Sequence, residues 1–187
     1  MMSVQRGHLI LVVGPSGGGK DALLCEAKRR LSDESRIAFV QRVITRPVTG
    51  TGEAHEEATA DDFERDRRAG RFGLSWFAHG LGYGIPSDKF DVLEHGASLV
   101  ANASRTIIEE ARQSYAPTRV ILVTACDETL RTRLQNRGRE AEAQINSRLA
   151  RAAKFQPSGD DVVELKNEGS LLSSAESFVS LLKESVN

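Results

Sequence analysis

Residues Gly14, Pro15, Ser16, Gly17, Gly18, Gly19, Lys20 and Asp21 follow the apolar run Leu9 to Val13 directly. They carry the GxxxxGK spacing of a loop that wraps phosphate groups. Glycines let successive backbone N–H groups turn inward onto phosphate oxygens, a helix opening at Lys20 adds the positive end of its dipole, and the ammonium reaches the β and γ phosphates. Asp21 stands where a Ser or Thr hydroxyl normally meets the magnesium ion. The expected ligand is therefore ATP with Mg2+, bound by Gly14 to Asp21, with Asp21 as the metal residue.

A second group with chemical potential is the arginine series Arg131, Arg133, Arg137, Arg139, Arg148 and Arg151. Helical spacing at 133/137 and 148/151 aims pairs of guanidiniums to one side. Phosphoryl transfer spreads negative charge over equatorial oxygens, so arginines closing over the phosphates stabilise the transition state. Arg133, Arg137 and Arg148, with Lys20, are the predicted catalytic residues, and 137–147 is the predicted lid. A solvated charged face paired with Glu140 and Glu142 is the alternative.

These groups need a scaffold. Strand-like runs occur at Leu9–Val13, Ile37–Ile44, Ser98–Ala101, Val120–Thr124 and Val162–Leu165, alternating with helical patterns. Helices are predicted at Lys20–Leu31, Ala60–Ala69, Ser87–His95, Ser104–Tyr115, Asp127–Arg137, Glu142–Phe155 and Leu171–Glu184, with Asp127 and Ser170 as N-caps and Gly138 as a stop. Such alternation implies an α/β fold, a five-stranded parallel sheet with helices on both faces. Residues 45–86 break the pattern with Pro47, several glycines and an aromatic stretch from Leu74 to Gly84 that suits a hairpin about His79-Gly80. In a P-loop chain this insert is the natural acceptor-binding unit.

The chain has 187 residues, enough for one domain over 1–187, and 25 basic against 26 acidic residues give a net charge of −1. Nothing in that balance argues for nucleic acid or an anionic membrane as the main partner, and neither is expected. Cys25 and Cys126 lack metal-ligand spacing and are expected to be buried, reduced thiols. The first residues run straight into a strand pattern with no signal-peptide signature, so a cytoplasmic protein is expected.

Together the motifs resemble the guanylate kinase group of nucleoside monophosphate kinases: the phosphate loop, Ile44-Thr45-Arg46-Pro47 after the second strand, Tyr83-Gly84 closing the insert, and Leu134 to Glu140 in the lid. They look more like the ribose 1,5-bisphosphate phosphokinases in Gly19-Lys20-Asp21, Leu74-Ser75-Trp76, Asn102-x-Ser104-Arg105, Arg137-Gly138-Arg139-Glu140 with Ile145 to Ala152, and Asn167 to Leu171. The resemblance implies a P-loop NTPase fold and transfer of a phosphoryl group from ATP to the 1-phosphate of ribose 1,5-bisphosphate, making 5-phosphoribosyl 1-diphosphate in phosphonate catabolism. It gives Arg46 and Tyr83 the acceptor phosphate and Asn167 an ATP contact. Arg105, at the end of the third predicted strand, is the candidate for the second phosphate.

Two departures from guanylate kinase stand out. The segment aligned with its guanine-reading carboxylate is Arg71-Phe72-Gly73-Leu74-Ser75, and the aspartate after its third strand is replaced by Asn102. A guanylate kinase of unusual sequence and a non-catalytic interaction module of the same fold are the competing expectations. Retention of Lys20 and the arginine series argues against the module.

Overall fold

A computed structural model describes residues 5–48, 54–136, 142, 146 and 156–186. Five strands, β1 (Leu9–Val13), β2 (Ile37–Phe39), β7 (Ser98–Asn102), β8 (Thr118–Thr124) and β9 (Val162–Lys166), form one sheet in the order β2-β7-β1-β8-β9. Each neighbouring pair is parallel. All five β1 side chains are fully buried. A strand covered on both faces has no polar side, which explains its uninterrupted apolar run.

Alternate residues of the sheet enter two cores. Leu9, Leu11, Val13, Leu99 and Leu122 pack with Ile108 and Ala111 of helix α4 (Ile108–Ser114). Ile10, Val12, Ile121 and Val123 pack with Leu23, Leu24 and Ala27 of α1 (Lys20–Arg30) and with Ala175, Phe178 and Leu182 of α6 (Leu171–Glu184). Ser170 caps α6 by accepting from the Ser173 amide, as predicted. In α5 (Asp127–Asn136) the first i→i−4 bond runs from Leu130 N–H to the Cys126 carbonyl. Cys126, not Asp127, is thus the cap position, and Asp127 is a first-turn acid favoured by the helix dipole.

The predicted strand Ile37–Ile44 divides. Its first half is β2, whereas Val43–Ile44 forms β3 of a second sheet ordered β4-β3-β6-β5, with β4 at Glu56–Glu57, β5 at Phe72–Ala78 and β6 at Leu81–Pro86. The apolar pattern runs through the division without Gly or Pro, so nothing local marks it. The predicted hairpin is present: β5 and β6 pair antiparallel about His79 and Gly80, whose φ values of 53° and 76° match a type I′ turn. Helix α2 (Ala60–Arg68), capped by Thr59, covers this sheet through Phe63, which stacks on Phe72. Leu74, Trp76 and Ile85 of the hairpin enter the first core, together with Leu93 of α3 (Asp91–Glu94). The second sheet is therefore welded to the first by shared apolar contacts.

Both cysteines are exposed and free, against expectation. Cys25 falls between the buried positions Leu23, Leu24 and Ala27, off the α1 stripe. The Cys126 thiol lies 3.2 Å from the Thr129 hydroxyl at the start of α5. Among the described residues no helix is long and apolar enough to cross a membrane.

Candidate active site

The loop between β1 and α1 has the shape its spacing demands. Gly14 (φ 147°) presses on the next strand, where a Cβ would collide with the Val123 carbonyl oxygen. Gly19 (φ 88°) is the left-handed residue before α1, and no side chain caps that helix. Helix amides left uncapped by side chains at a glycine turn make an anion site. The Lys20 ammonium donates to the Gly14 carbonyl at 2.8 Å and the Pro15 carbonyl at 3.1 Å, so the cation lies across its own loop.

Asn167 braces this loop from below. It is buried at 4% exposure, and its Nδ2 donates to the Gly18 carbonyl at 2.7 Å. Its backbone N–H donates to Thr124 at 2.7 Å, which ties the end of β9 to the end of β8. Asn167→Ala leaves the Gly18 carbonyl unpaired, a cost of about 2 kcal/mol. Thermal melts should show a loss of roughly 5 °C, and the KM for ATP should rise. An unchanged melt with unchanged ATP affinity would contradict this brace.

Asp21 and Asn102 meet at the other side of Lys20. Asn102 ends β7 at 6% exposure, and its Nδ2 donates to Asp21 Oδ1 at 2.9 Å. The carboxylate and the carboxamide thus form one unit bridging α1 and the parallel sheet.

These residues line one side of a cavity of about 720 Å³. The opposite side is Arg42, Ile44 and Arg46 about β3, with Trp76, Phe77, Ala78, His79 and Tyr83 from the hairpin. Four cations, Lys20, Arg42, Arg46 and Arg105, face this space, and among its described lining residues Asp21 is the one acid. Arg46 is half-buried, and its Nε is buried without a hydrogen-bond partner among the described residues. A donor in that condition is suited to an incoming oxyanion. Arg105 is half-buried at the C-terminal end of β7, and burial pulls its guanidinium below its ordinary pKa. Phe77, 63% exposed, leans edge-on against Phe63, whereas Trp76 is buried and belongs to the core and the cavity wall together.

Sequence reasoning missed three contributors. Arg42, hidden inside a run read as strand, is 8% exposed and lies over the rings of Tyr83 at 5.1 Å and Trp76 at 5.9 Å. His55 is 7% exposed, and its Nε2–H donates to the Arg46 carbonyl at 3.0 Å, fixing the chain that carries Arg46. Asn102, read only as a missing acid, orients Asp21. No local signal marks His55, because its partner is nine residues away across a second strand.

Of the arginine series, Arg133 on α5 reaches the phosphate loop, with Nη1 3.5 Å from the Gly17 carbonyl. Arg131 is paired with Glu142 at 3.6 Å and Asn146 at 2.8 Å, which partly realises the charged-face alternative. Arg137, Arg139, Arg148 and Arg151, and the predicted lid apart from 142 and 146, lie outside the described residues.

A parallel sheet of this order, a phosphate loop leading from β1 into α1, and an arginine-lined insert facing that loop define a P-loop kinase of the guanylate kinase type. The guanylate kinase from Anaplasma phagocytophilum superposes with a TM-score of 0.66 at 18% identity, covering 96% of this chain and 86% of that one. No family model matches the chain. It is 40% identical over 179 residues to the ribose 1,5-bisphosphate phosphokinase PhnN of Brucella melitensis, covering 96% of this chain and 93% of the relative. It is 50% identical over 149 residues to that of Acidiphilium cryptum, covering 80% and 79%. The chain belongs to the ribose 1,5-bisphosphate phosphokinase family.

Proposed function

We propose that the protein transfers the γ-phosphoryl group of ATP to the 1-phosphate of ribose 1,5-bisphosphate, giving 5-phosphoribosyl 1-diphosphate and ADP, a step of phosphonate breakdown. The observation that carries this reading is the charge of the acceptor side: Arg42, Arg46 and Arg105 with no described carboxylate besides Asp21. A guanine needs an acceptor facing its N–H edge, and a site lacking one rejects it strongly. Two phosphates need cations, and the cavity supplies them. Gly73, in the segment aligned with the guanine-reading acid, packs against Phe90 and Tyr115 instead of facing the cavity.

An oxygen of the 1-phosphate forms the new bond to the γ-phosphorus as the bond from that phosphorus to the β-bridging oxygen breaks, and ADP departs with the electron pair. The attacking oxygen is already anionic, so no general base is required. Catalysis reduces to alignment and charge neutralisation. Lys20 moves from its loop carbonyls to the β and γ oxygens, and the loop amides hold the phosphates. Arg46 and Tyr83 fix the acceptor 1-phosphate. Arg133, with Arg137 of the lid and Arg148 directly after it, neutralises the moving group.

The Asp21–Asn102 unit suits Mg2+. Its oxygen donors are hard, and among the described residues no cluster of three or more His, Cys, Asp or Glu forms a self-sufficient metal cage. Mg2+ is usually held by one or two carboxylates together with substrate phosphates. Bound there, it would offset charge on the β and γ oxygens, and Asp21 is the residue that would hold it.

The test is turnover with MgATP and either ribose 1,5-bisphosphate or GMP, followed as ADP release. Rapid turnover of the sugar bisphosphate with GMP slower by at least about a thousandfold is expected. GMP turnover alone would establish a guanylate kinase, and neither would favour a binding module.

A further inference from the structure

We infer that Thr45 is a positioning residue for the acceptor phosphate: its hydroxyl ends the pairing of β3 with β6 and so directs the Arg46 guanidinium into the cavity beside Tyr83. This rests on the reading of Arg46 and Tyr83 as the groups that hold that phosphate.

β3 runs antiparallel to β6, with Val43 opposite Gly84 and Ile44 opposite Tyr83. The same register puts Thr45 opposite Gly82, in the kind of pair that exchanges two backbone hydrogen bonds. Half of the exchange is ordinary, since the Thr45 N–H donates to the Gly82 carbonyl at 3.0 Å. The return bond is not: the Gly82 N–H donates at 2.8 Å to the Thr45 hydroxyl, which takes the place of the Thr45 carbonyl. The chain then turns. The Arg46 N–H donates back to the Ile44 carbonyl at 2.8 Å, closing a γ-turn centred on Thr45, and the Ala58 N–H just beyond β4 reaches the same carbonyl at 3.1 Å. Threonine suits this position, because its branched Cβ favours extended backbone and restricts χ1, which fixes the hydroxyl.

What the turn delivers is Arg46. Ile44 and Arg46 line the cavity and Thr45 does not, so Thr45 acts through its neighbour rather than on the acceptor. The Arg46 backbone is held from both sides, its N–H by the Ile44 carbonyl and its carbonyl by His55 Nε2–H at 3.0 Å. Pro47 disfavours helical backbone at Arg46 as well. These restraints keep Arg46 Nε buried with no hydrogen-bond partner among the described residues, a state that an unrestrained arginine would leave for water. Tyr83 is fixed on the facing strand, next to Gly82 in the chain and with its ring stacked on Trp76 at 5.5 Å. One side-chain hydrogen bond therefore sets the spacing of two phosphate-holding groups on different strands. Order established before the ligand arrives lowers the entropic cost of binding it.

The competing role for Thr45 is a plain lock on the end of the sheet, and the two roles separate. Without the hydroxyl, the Gly82 N–H takes the acceptor that an antiparallel ladder normally offers it, the Thr45 carbonyl. β3 then gains one paired residue, the peptide between Thr45 and Arg46 rotates, and the γ-turn opens. That exchange largely preserves the sheet but not the direction of Arg46. A lock thus predicts lost stability with ATP and acceptor affected alike, whereas positioning predicts a loss confined to the acceptor and dependent on Arg46.

The experiment is a double-mutant cycle of Thr45→Val and Arg46→Met, with turnover of ribose 1,5-bisphosphate and MgATP followed as ADP release. Valine keeps the branched shape and removes only the accepting oxygen. Thr45→Val should raise the KM for ribose 1,5-bisphosphate roughly 10- to 30-fold and leave the KM for ATP within about threefold. Thr45→Ser keeps the hydroxyl and should regain most of that loss. In the Arg46→Met background, Thr45→Val should lower kcat/KM by no more than about twofold, because no guanidinium is left to misdirect. Full additivity in that background, equal loss for ATP and acceptor, or no loss at all overturns the assignment. If Thr45→Val melts early and loses both substrates, Thr45→Ala replaces it, and the same dependence on Arg46 is required; a second joint loss makes Thr45 a lock only. Should the wild type turn over GMP and not ribose 1,5-bisphosphate, the acceptor reading fails and the inference with it. Wild-type turnover of the sugar bisphosphate beside an additive cycle sinks Thr45 alone.

Discussion

Lys20→Met is expected to lower kcat by roughly 100- to 1000-fold while the fold and the acceptor affinity remain. In the structure the ammonium bridges the Gly14 and Pro15 carbonyls at 2.8 and 3.1 Å, at the place where the loop must receive phosphate. The two states of the lysine have different demands. With the loop carbonyls it makes ordinary charge-assisted bonds; with the β and γ oxygens it meets charge that grows as the bridging bond breaks. Only the second interaction strengthens toward the transition state, so its loss is read in kcat more than in KM. Arginine should not rescue, since a planar guanidinium cannot occupy the compact space over the loop. Stopped assays with the folded variant check this, and a kcat within tenfold of the wild type would remove Lys20 from the chemistry.

The phosphate loop was legible because its chemistry is local: eight consecutive residues, fixed by backbone conformation, state their own function. The parallel sheet was legible for a related reason, since strands buried on both faces leave continuous apolar runs such as Leu9–Val13. The acceptor side was legible only in part: Arg46, Tyr83 and Arg105 were singled out and line the cavity, whereas Arg42 and His55 were not, because this side is assembled by pairing across sequence. Arg42 was concealed where the chain leaves the main sheet between Phe39 and Val43 without a Gly or Pro to mark the change. His55 gains its meaning from the Arg46 carbonyl, and Asn167 from the Gly18 carbonyl 149 positions earlier. The cysteines misled because their average tendency to be buried says nothing about which side of α1 position 25 occupies. The hairpin turn succeeded where these failed, since His79-Gly80 encodes its positive φ values in adjacent residues.

Exchanging the two halves of the Asp21–Asn102 unit gives the sharpest test of how this site handles its cation. Asp21→Ser restores the hydroxyl usual after the loop lysine but leaves no carboxylate, and a kcat loss of about 100-fold is expected, near 2.7 kcal/mol. Asn102→Asp alone creates the opposite fault. Its new carboxylate replaces the amide that donates to Asp21 Oδ1 at 2.9 Å, so two acids share one contact. Two like charges then face each other where an amide donated before, and the Asn102→Asp variant should lose activity. The double variant again has one carboxylate and one short donor, with their positions exchanged between α1 and β7. It should recover to within about tenfold of the wild type, a coupling that independent sites do not show. Mn2+ binding to the ATP complex, read by electron paramagnetic resonance, should follow the same order: lowered in Asp21→Ser and regained in the double variant. If the double variant is as poor as the product of the singles, with Mn2+ affinity unaffected throughout, Asp21 is only a first-turn helix acid and the shared role fails.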